Sequence, residues 1–340
     1  MGWQKIEVNS SRPYPIILGN PLSELGAYLK AHWSSTGHVL VISHPEVLNH
    51  YQAPLLSGLN DYKVDVLVVP PGEQEKSLTR LNDLTTQAVS KGADRHTLVI
   101  ALGGGVIGDL AGFFASVYMR GVKLVQVPTT LLAQVDSSIG GKVAVNHEAG
   151  KNLIGAFYPP MAVWTDFSTL ETLPWSEIQN GLAETIKHAL IDDLGLFEFL
   201  EEHKVQIRNR ESAIYREMVT RSLAVKVRIV SQDEKEQGVR ALLNLGHSFG
   251  HALETYSEYQ EISHGQGVSV GLVAAGYTAL EKGYIQQKEL DRIIRLLHAF
   301  DLPTSAPGKD PERLLQLMAA DKKNRRGQKV LILPKGLGKS

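Results

Sequence analysis

The sequence predicts an α/β domain with a parallel sheet over residues 1–170 and a mainly α-helical domain over residues 171–340. A chain of 340 residues is long for one hydrophobic core, so two domains are expected. Up to about Phe167, short runs of Val, Ile and Leu alternate with stretches of helical period, which is typical of parallel strands covered by helices. After about Leu173 the strand-like runs nearly disappear.

The first part of the chain contains five strand-like runs, two helical stretches and an edge hairpin. The strands are predicted at Val39–Ser43, Val64–Val69, Leu98–Leu102, Leu124–Val127 and Ala162–Thr165. The helices are predicted at Leu78–Val89 and Val106–Arg120, where apolar residues recur with helical spacing. Ile6–Val8 and Tyr14–Leu18 are predicted to pair as a hairpin at the edge of the sheet.

The second part reads as a succession of helices. These are predicted at Ser176–Asp193, Glu211–Gln232, His247–Tyr256, Val268–Lys282, Gln287–Phe300 and Pro311–Ala319. One late strand is predicted at Lys329–Leu333.

Composition excludes several classes of site. Hydrophobic residues make up 43% and charged residues 21% of the chain, as in an ordinary soluble enzyme. Lys and Arg together number 35 against 36 for Asp and Glu, so no general field favours nucleic acid or an anionic membrane. The chain has no cysteine, which excludes disulfides, thiolate catalysis and cysteine-based zinc sites, so a metal must use His, Asp or Glu.

The longest apolar stretch, Gly267–Leu280, is too short to span a bilayer. The first 20 residues have no signal-peptide core. A cytoplasmic protein is therefore expected.

A glycine-rich turn, Gly103 to Asp109, follows the third predicted strand and opens a helix. Glycines allow the backbone to approach a phosphate, and free amides at a helix start favour an anion. The spacing of Gly103, Gly105 and Gly108 satisfies the dinucleotide pattern, but it follows a middle strand and no acidic residue lies about 20 positions on. The alternative is a crowded strand-to-helix turn without a ligand.

Two neighbouring loops favour the nucleotide-binding interpretation. The segment Pro70–Ser77 follows the preceding strand and offers carboxylates and an ammonium, and Thr129 and Thr130 follow the next strand. Polar loops after three successive strands define the carboxyl edge of a parallel sheet, where nucleotides bind. The N-terminal domain is therefore predicted to be a Rossmann-like nucleotide-binding domain.

Two further loops, Asp136–Lys142 and Gly150–Gly155, combine glycines with a lysine. Glycines permit a tight backbone, and a lysine neutralises a bound anion. The alternative for each lysine is an ordinary solvated surface position.

The second domain contains a candidate metal centre. Glu184 and Lys187 share a helix face, His247 and His251 are four apart with Glu254 three further on, and His264 precedes a glycine-rich helix. Two histidines and one glutamate leave an open coordination position, as catalytic zinc sites require. Spacing alone does not separate Glu184, His247 and His264 from the rival set of His247, His251 and Glu254.

In these motifs the chain resembles the 3-dehydroquinate synthase family within the sugar phosphate cyclases. The matching stretches run in order along nearly the whole chain: Pro71–Ser77, Gly103–Gly112, Tyr118–Gly121, Pro128–Lys142, Gly150–Gly155, Gly181–Lys187, Asn244–Glu254, His264–Gly267 and Asp321–Lys323. The resemblance implies catalytic NAD, one Zn²⁺ or Co²⁺ ion per chain, and a homodimer acting on a small phosphorylated carboxylate.

The resemblance also implies a reaction, that of a carbon–oxygen lyase acting on phosphates. The family converts 3-deoxy-D-arabino-heptulosonate 7-phosphate into 3-dehydroquinate and phosphate, in the shikimate pathway of aromatic amino acid biosynthesis. A transient oxidation by NAD permits β-elimination of phosphate, and re-reduction and an intramolecular aldol step follow.

Site residues are carried over from the family position by position. Glu184, His247 and His264 would hold the metal. The cofactor residues would be Gly72, Glu73, Gln74, Glu75, Lys76, Gly104, Gly105, Val106, Ile107, Gly108, Asp109, Thr129, Thr130, Asp136, Lys142, Lys151, Thr169, Leu170, Glu171 and Thr172.

Catalytic and substrate roles are implied in the same way. His251 would be the proton shuttle, and Lys142, Asn152 and Arg120 would meet the phosphate, with Arg120 reaching across a dimer interface. The carboxylate and hydroxyls would be met by Lys187, Lys226, Arg240 and Asn244. Lys322, in preference to Lys323, would close the site.

Three positions depart from the family pattern. His44 stands where the family often has an acidic residue near the adenosine ribose, so that contact is open. His188 replaces a commoner aromatic residue, and Ser248 replaces a threonine.

Three competing functions stay open at this point. The first is that of related cyclases that make inososes or valiolones, but these often lose the second histidine of the helix pair or change the cations that read the carboxylate. This chain keeps His251, Lys226 and Arg240, which favours a carboxylated substrate. The second is that of a metal-dependent polyol dehydrogenase, and the third is that of a non-catalytic scaffold.

Overall fold

The structure is a computed structural model that describes residues 3–33, 37–257, 261–320 and 330–340. The chain divides into two compact units, Met1–Leu173 and Pro174–Ser340. No helix among these described residues is long and apolar enough to cross a membrane.

The first unit is built on a seven-stranded sheet. The strands of this unit are β1 Lys5–Val8, β2 Tyr14–Leu18, β3 His38–Ser43, β4 Lys63–Val68, β5 Leu98–Gly103, β6 Lys123–Pro128, β7 Lys142–His147, β8 Gly150–Phe157 and β9 Ala162–Thr165. Strands β7 and β8 form a separate hairpin, and the others form the sheet. The sheet order is β1-β2-β9-β6-β5-β3-β4. Only β1 and β2 pair antiparallel within this sheet, and its other neighbouring strands are parallel.

Helices cover both faces of this sheet. They are α1 Leu25–His32, α2 Pro45–Gly58, α3 Leu78–Ser90 and α4 Gly105–Val117. Strand β5 shows why: Val99 and Ala101 join one buried cluster with α3 and α4, while Leu98, Ile100 and Leu102 join the other with α1 and α2. Since successive side chains of a strand point to opposite faces, a continuous apolar strand needs cover on both sides.

The predicted strands and the edge hairpin are confirmed, but three other predicted segments of this unit differ. The loop predicted at Asp136–Lys142 begins within a π-helical turn, Ala133–Ser137, and ends at the first residue of β7. The helix predicted to reach Arg120 ends at Val117, because Met119 and Arg120 have positive φ and form a 3₁₀ turn over Tyr118–Arg120. The segment predicted as a loop at Gly150–Gly155 belongs to strand β8. It pairs closely with β7, and a Cβ on Gly155 would lie 2.4 Å from the Val143 carbonyl oxygen.

The second unit is helical. Its helices are α5 Trp175–Asp192, α6 Leu194–Glu202, α7 Lys204–Arg208, α8 Ser212–Gln232, α9 His247–Tyr256, α10 His264–Glu281, α11 Gln287–Ala299 and α12 Pro311–Ala320. All six predicted helices are present, so the predicted fold class is confirmed. Helix α10 starts four residues earlier than predicted, because Ser263 caps it in a capping box with Gln266.

The late strand predicted at Lys329–Leu333 was wrong for its described part. Residues 330–333 are not in a strand and pair with no strand of the described chain. Leu333 instead packs on a small helical cluster formed by Ala279, Ile285 and Leu290.

Candidate metal centre and cofactor site

The glycine-rich turn lies at the carboxyl edge of the sheet, between β5 and α4. A Cβ on Gly104 would lie 2.9 Å from Thr130 Cγ2, and one on Gly108 would lie 3.0 Å from Gln126 Oε1. Crowding therefore requires part of this glycine pattern even without a ligand. Gly105 begins α4, whose first amides have no partner within the helix and suit an anion.

Polar atoms without a partner also mark this edge. Thr129 Oγ1, Ser43 Oγ, Thr165 Oγ1 and His44 Nδ1 are buried and have no hydrogen-bond partner in the described part of the chain. They follow or end β6, β3 and β9, which are near neighbours in the sheet. Because buried polar atoms are normally satisfied, this set fits an edge that receives a polar ligand such as a dinucleotide. Burial also lowers the pKa of His44, which favours its neutral form.

Lys76 is the centre of a buried polar cluster. Its Nζ donates to Asp109 Oδ2 at 2.8 Å and to Asn152 Oδ1 at 2.7 Å, and it lies 3.4 Å from Glu73 Oε1. Burial lowers the pKa of Lys76, but Asp109 and Glu73 outweigh it and raise the pKa above the usual value. Lys76 is therefore charged, and protein groups already surround its ammonium.

Several predicted cofactor residues are engaged in local structure. Gly72 has φ +120° and precedes the 3₁₀ turn Glu73–Glu75. The Gln74 amide donates to the Pro71 carbonyl oxygen, and Glu75 accepts from Arg80 Nε at 2.6 Å. These side chains shape the loop, which leaves its backbone and Glu73 as the groups best suited to contact a ligand.

The segment Thr169–Thr172 is held by two side chains of the same unit. Gln134 Nε2 donates to Thr169 Oγ1 at 3.0 Å, and Tyr51 contacts the Thr169 carbonyl oxygen and the Thr172 hydroxyl. Leu170 is buried, whereas Glu171 is exposed.

The remaining predicted residues of this unit differ in exposure. Ile107 is buried, and Val106, Thr130, Asp136 and Lys151 are half-buried. Arg120, Lys142 and Asn152 are exposed.

In the second unit, three elements bring Glu184, His247 and His264 together. They come from α5, α9 and the first residue of α10, and their ligand atoms all lie within 4.8 Å of one another. Glu184 Oε1 lies 3.1 Å from His264 Nε2 and 3.5 Å from His247 Nε2. Two imidazoles and one carboxylate suit Zn²⁺ or Co²⁺.

The other ring nitrogen of each histidine is held by an oxygen. His264 Nδ1 lies 3.0 Å from Glu254 Oε1, and His247 Nδ1 lies 3.2 Å from the Leu245 carbonyl oxygen. Since a carbonyl oxygen only accepts, this contact places a proton on His247 Nδ1, and Nε2 faces Glu184 Oε1. This geometry fits a metal and favours Glu184, His247 and His264 over the rival set, because Glu254 lies behind His264.

The charge on His264 follows from the same contacts. Burial lowers the pKa of His264, but hydrogen bonds with Glu184 and Glu254 outweigh it and raise the pKa to about 10. Without a metal, a protonated His264 therefore lies between two carboxylates.

Asn180 fixes the start of α10 against α5. Its Oδ1 accepts from Ser263 Oγ at 2.7 Å and from the Gly265 amide at 3.1 Å, on either side of His264. A Cβ on Gly265 would lie 2.5 Å from Asn180 Cα. Helix α5 therefore carries Glu184 and also, one turn earlier, the side chain that places His264.

Helices α9 and α10 approach each other through glycines. A Cβ on Gly271 would lie 2.0 Å from the Gly246 carbonyl oxygen, and one on Gly250 would lie 2.9 Å from that of Gly267. This close backbone contact lies next to His247 and sets its distance from His264.

The predicted substrate residues of this unit are mostly buried. Lys187 is 1% exposed and its ammonium contacts Glu184 Oε2, and Lys226 on α8 is 5% exposed. Arg240 donates to the Glu234 carbonyl oxygen and Asn244 donates to Glu236. The ring of His251 lies edge-on to that of His247, with centroids 5.3 Å apart. Lys322 and Lys323 lie outside the described residues.

Sequence reasoning missed two supporting residues. Asn180 carries no motif signal, and Glu236 stands in a polar loop like many others. Glu254 was visible only as a rival metal ligand, since its spacing from His251 does not reveal that it faces His264.

Glu254→Gln is expected to weaken zinc binding about 10- to 100-fold, because carboxylate partners of metal-bound histidines typically contribute that much. Glutamine keeps the size of the side chain but lacks the charge that favours the proton on His264 Nδ1. Competition with a fluorescent zinc chelator would measure the affinity, with exposed Glu281→Gln as the control. A zinc affinity equal to that of the control would show that Glu254 does not support the centre.

Comparisons with known proteins match nearly the whole chain to 3-dehydroquinate synthases. The family models described as 3-dehydroquinate synthase N-terminal and C-terminal match residues 66–180 and 181–324. The 3-dehydroquinate synthase of Teredinibacter turnerae is 46% identical, over 96% of this chain and 91% of that protein.

Two solved structures are similar as well. One is the 2-epi-5-epi-valiolone synthase of Streptomyces hygroscopicus subsp. jinggangensis with NAD⁺ and Zn²⁺ bound, which has a TM-score of 0.89 at 27% identity. The match spans 99% of this chain and 94% of that chain. A 2-deoxy-scyllo-inosose synthase complexed with carbaglucose-6-phosphate, NAD⁺ and Co²⁺ has a TM-score of 0.85 at 27% identity, with coverages of 99% and 93%.

Proposed function

The chain belongs to the 3-dehydroquinate synthase family, and from this membership we propose its reaction, cofactors and site. It converts 3-deoxy-D-arabino-heptulosonate 7-phosphate into 3-dehydroquinate and phosphate, with NAD and one Zn²⁺ or Co²⁺ ion. The observation that carries the proposal is the Glu184, His247 and His264 centre, in which both histidines direct Nε2 toward one buried carboxylate.

Residues of the second unit bind the metal, orient one of its ligands and transfer a proton. Glu184, His247 and His264 hold the ion, and Glu254 fixes the ring of His264. When bound, the ion polarises a substrate oxygen, and NAD accepts and returns a hydride. His251, beside His247, moves the proton.

Basic residues carried over from the family bind the charged groups of the substrate. The buried Lys187, Lys226 and Arg240, with Asn244, receive its carboxylate and hydroxyls, because a cation kept away from water binds an anion more strongly. Lys142, Asn152 and Arg120 bind the phosphate and orient it for departure. Lys322 closes the site.

The first unit binds NAD at the carboxyl edge of its sheet. The amides at the start of α4, which begins at Gly105, would hold the pyrophosphate. Glu73 and Asp109 supply carboxylates for hydroxyl and amide groups, and Thr129 supplies a hydroxyl that has no partner among the described residues. The other cofactor residues carried over from the family keep the same proposed role, and His44 lies where the adenosine ribose would be contacted.

We also propose a reaction class, a cellular location and an oligomeric state. The enzyme is a carbon–oxygen lyase acting on phosphates, because phosphate leaves by elimination. It is a cytoplasmic homodimer, and the exposed Arg120 contributes to the site of the second copy.

A second candidate is another sugar phosphate cyclase, since valiolone and inosose synthases are among the similar structures. The compound bound in the second of these structures, carbaglucose-6-phosphate, has no carboxylate. Lys226 and Arg240, which the family resemblance assigns to the substrate carboxylate, are both present and buried here, and this favours the carboxylated substrate.

Phosphate release from the heptulosonate phosphate tests the proposal. We expect release that depends on added NAD⁺ and stops after metal stripping, with no net NADH absorbance because the hydride returns. Release from sedoheptulose 7-phosphate alone would favour the second candidate. NADH rising in proportion to product would identify a dehydrogenase instead.

A further inference from the structure

Asn146 lies on β7, and both polar atoms of its side-chain amide make hydrogen bonds, one to the loop after β4 and one to β8. Its Nδ2 donates to Glu73 Oε1 at 2.8 Å, and its Oδ1 accepts from the Asn152 backbone amide at 3.0 Å. Its own backbone amide donates to the Lys76 carbonyl oxygen at 2.7 Å. Asn146 therefore ties the hairpin to the loop that follows β4.

The hairpin is irregular at this place. Its register shifts between Val145 and His147, so Asn146 lies where regular pairing with β8 is interrupted. Bulges of this kind redirect a side chain and are common beside active sites. Here the irregularity turns Asn146 toward the loop instead of toward a pairing partner.

Asn152 is held in an uncommon conformation by the same contacts. It has φ +54°, a left-handed value that side chains other than glycine adopt at some cost. Asn146 holds its backbone amide, and Lys76 holds its side-chain oxygen at 2.7 Å. The exposed Asn152 side chain thus has its direction fixed from two sides.

We propose that Asn146 is a positioning residue that fixes the orientation of Asn152 toward the substrate phosphate and of Glu73 toward the cofactor. The inference rests on the roles given to Asn152 and Glu73 in the proposed function. It extends that function because Asn146 acts through Asn152 and Glu73. Its Oδ1 acts on Asn152 and its Nδ2 acts on Glu73, so the two effects are separable by mutation.

A double-mutant cycle tests the contact with Asn152. Asn146→Ala is expected to raise KM for the heptulosonate phosphate about tenfold, the usual effect of losing one hydrogen bond that holds a binding group. In an Asn152→Ala background the same change adds less than about twofold, because the positioned side chain is already gone. Multiplying effects would overturn the proposal. So would a KM no different from that of Asn60→Ala, which removes a comparable surface contact with Ser57.

Asn146→Asp separates the two contacts and covers the case in which the alanine variant fails to fold. Aspartate still accepts from the Asn152 amide but places a second carboxylate against Glu73. We expect KM for the substrate within about threefold of wild type, together with weaker NAD binding in direct titration calorimetry. Equal losses in both measurements would contradict separate contacts. If the unaltered protein released no phosphate from the substrate, the proposed function would fail, and the NAD titration would still test the contact with Glu73.

Discussion

Glu184→Gln is expected to lower phosphate release about a thousandfold and to weaken zinc binding strongly. The neutral amide removes the only carboxylate among the three proposed ligands, whereas His247 and His264 stay in place. Lewis-acid stabilisation amounts to several kcal/mol, and about 1.4 kcal/mol corresponds to a factor of ten in rate. Single-turnover phosphate release and bound zinc per chain are the two measurements.

Glu281→Gln is the matched control, because it makes the same chemical change at an exposed position of α10. Its activity and zinc content should equal those of the unaltered protein. If Glu184→Gln bound zinc with unchanged affinity, the ligand assignment would be wrong. A variant that kept full activity would remove the metal centre from the mechanism altogether.

Gly265→Ala is expected to weaken zinc binding about a hundredfold or more. The added Cβ would lie 2.5 Å from Asn180 Cα, a backbone atom that cannot rotate away. The start of α10 must therefore move from α5 and carry His264 away from Glu184. Displacements of about 1 Å at a functional site commonly cost about a hundredfold, and overpacking of this kind costs about 1–3 kcal/mol of stability.

Gly195→Ala provides the steric control in the same unit. A Cβ there would come no closer than 3.4 Å to a neighbouring atom, Asp193 Oδ1, so the helix accepts it. We expect unchanged zinc affinity and equal or slightly higher stability. Wild-type zinc affinity in Gly265→Ala would show that the contact with Asn180 does not place His264.

The central strands β5, β6 and β9 were predictable because they are almost entirely buried and apolar. Leu98–Leu102 is a continuous apolar run in the sequence, and each of its side chains is buried in one of two clusters. Helices α1 and α2 were missed, since their period is weak. Within α2 only Leu48 and Leu55 are buried, and Pro54 interrupts the pattern.

Spacing predicted two candidate sets of metal ligands, and the choice of Glu184, His247 and His264 came from the family resemblance. His247 and His251 share a helix face, so spacing treats them alike. Their difference arises from α10, which brings His264 beside His247 and places Glu254 behind it. Asn180 and Asn146 were beyond sequence reasoning because each acts across segments far apart in the chain.

The glycine contact between α9 and α10 has a consequence for protein engineering. The distance between His247 and His264 depends on the absence of side chains at Gly246, Gly250, Gly267 and Gly271. Lys226 and Arg240, which are proposed to bind the substrate carboxylate, come instead from α8 and from the 3₁₀ turn Val239–Asn244. Libraries that aim at new substrates should therefore vary those two elements and keep all four glycines constant.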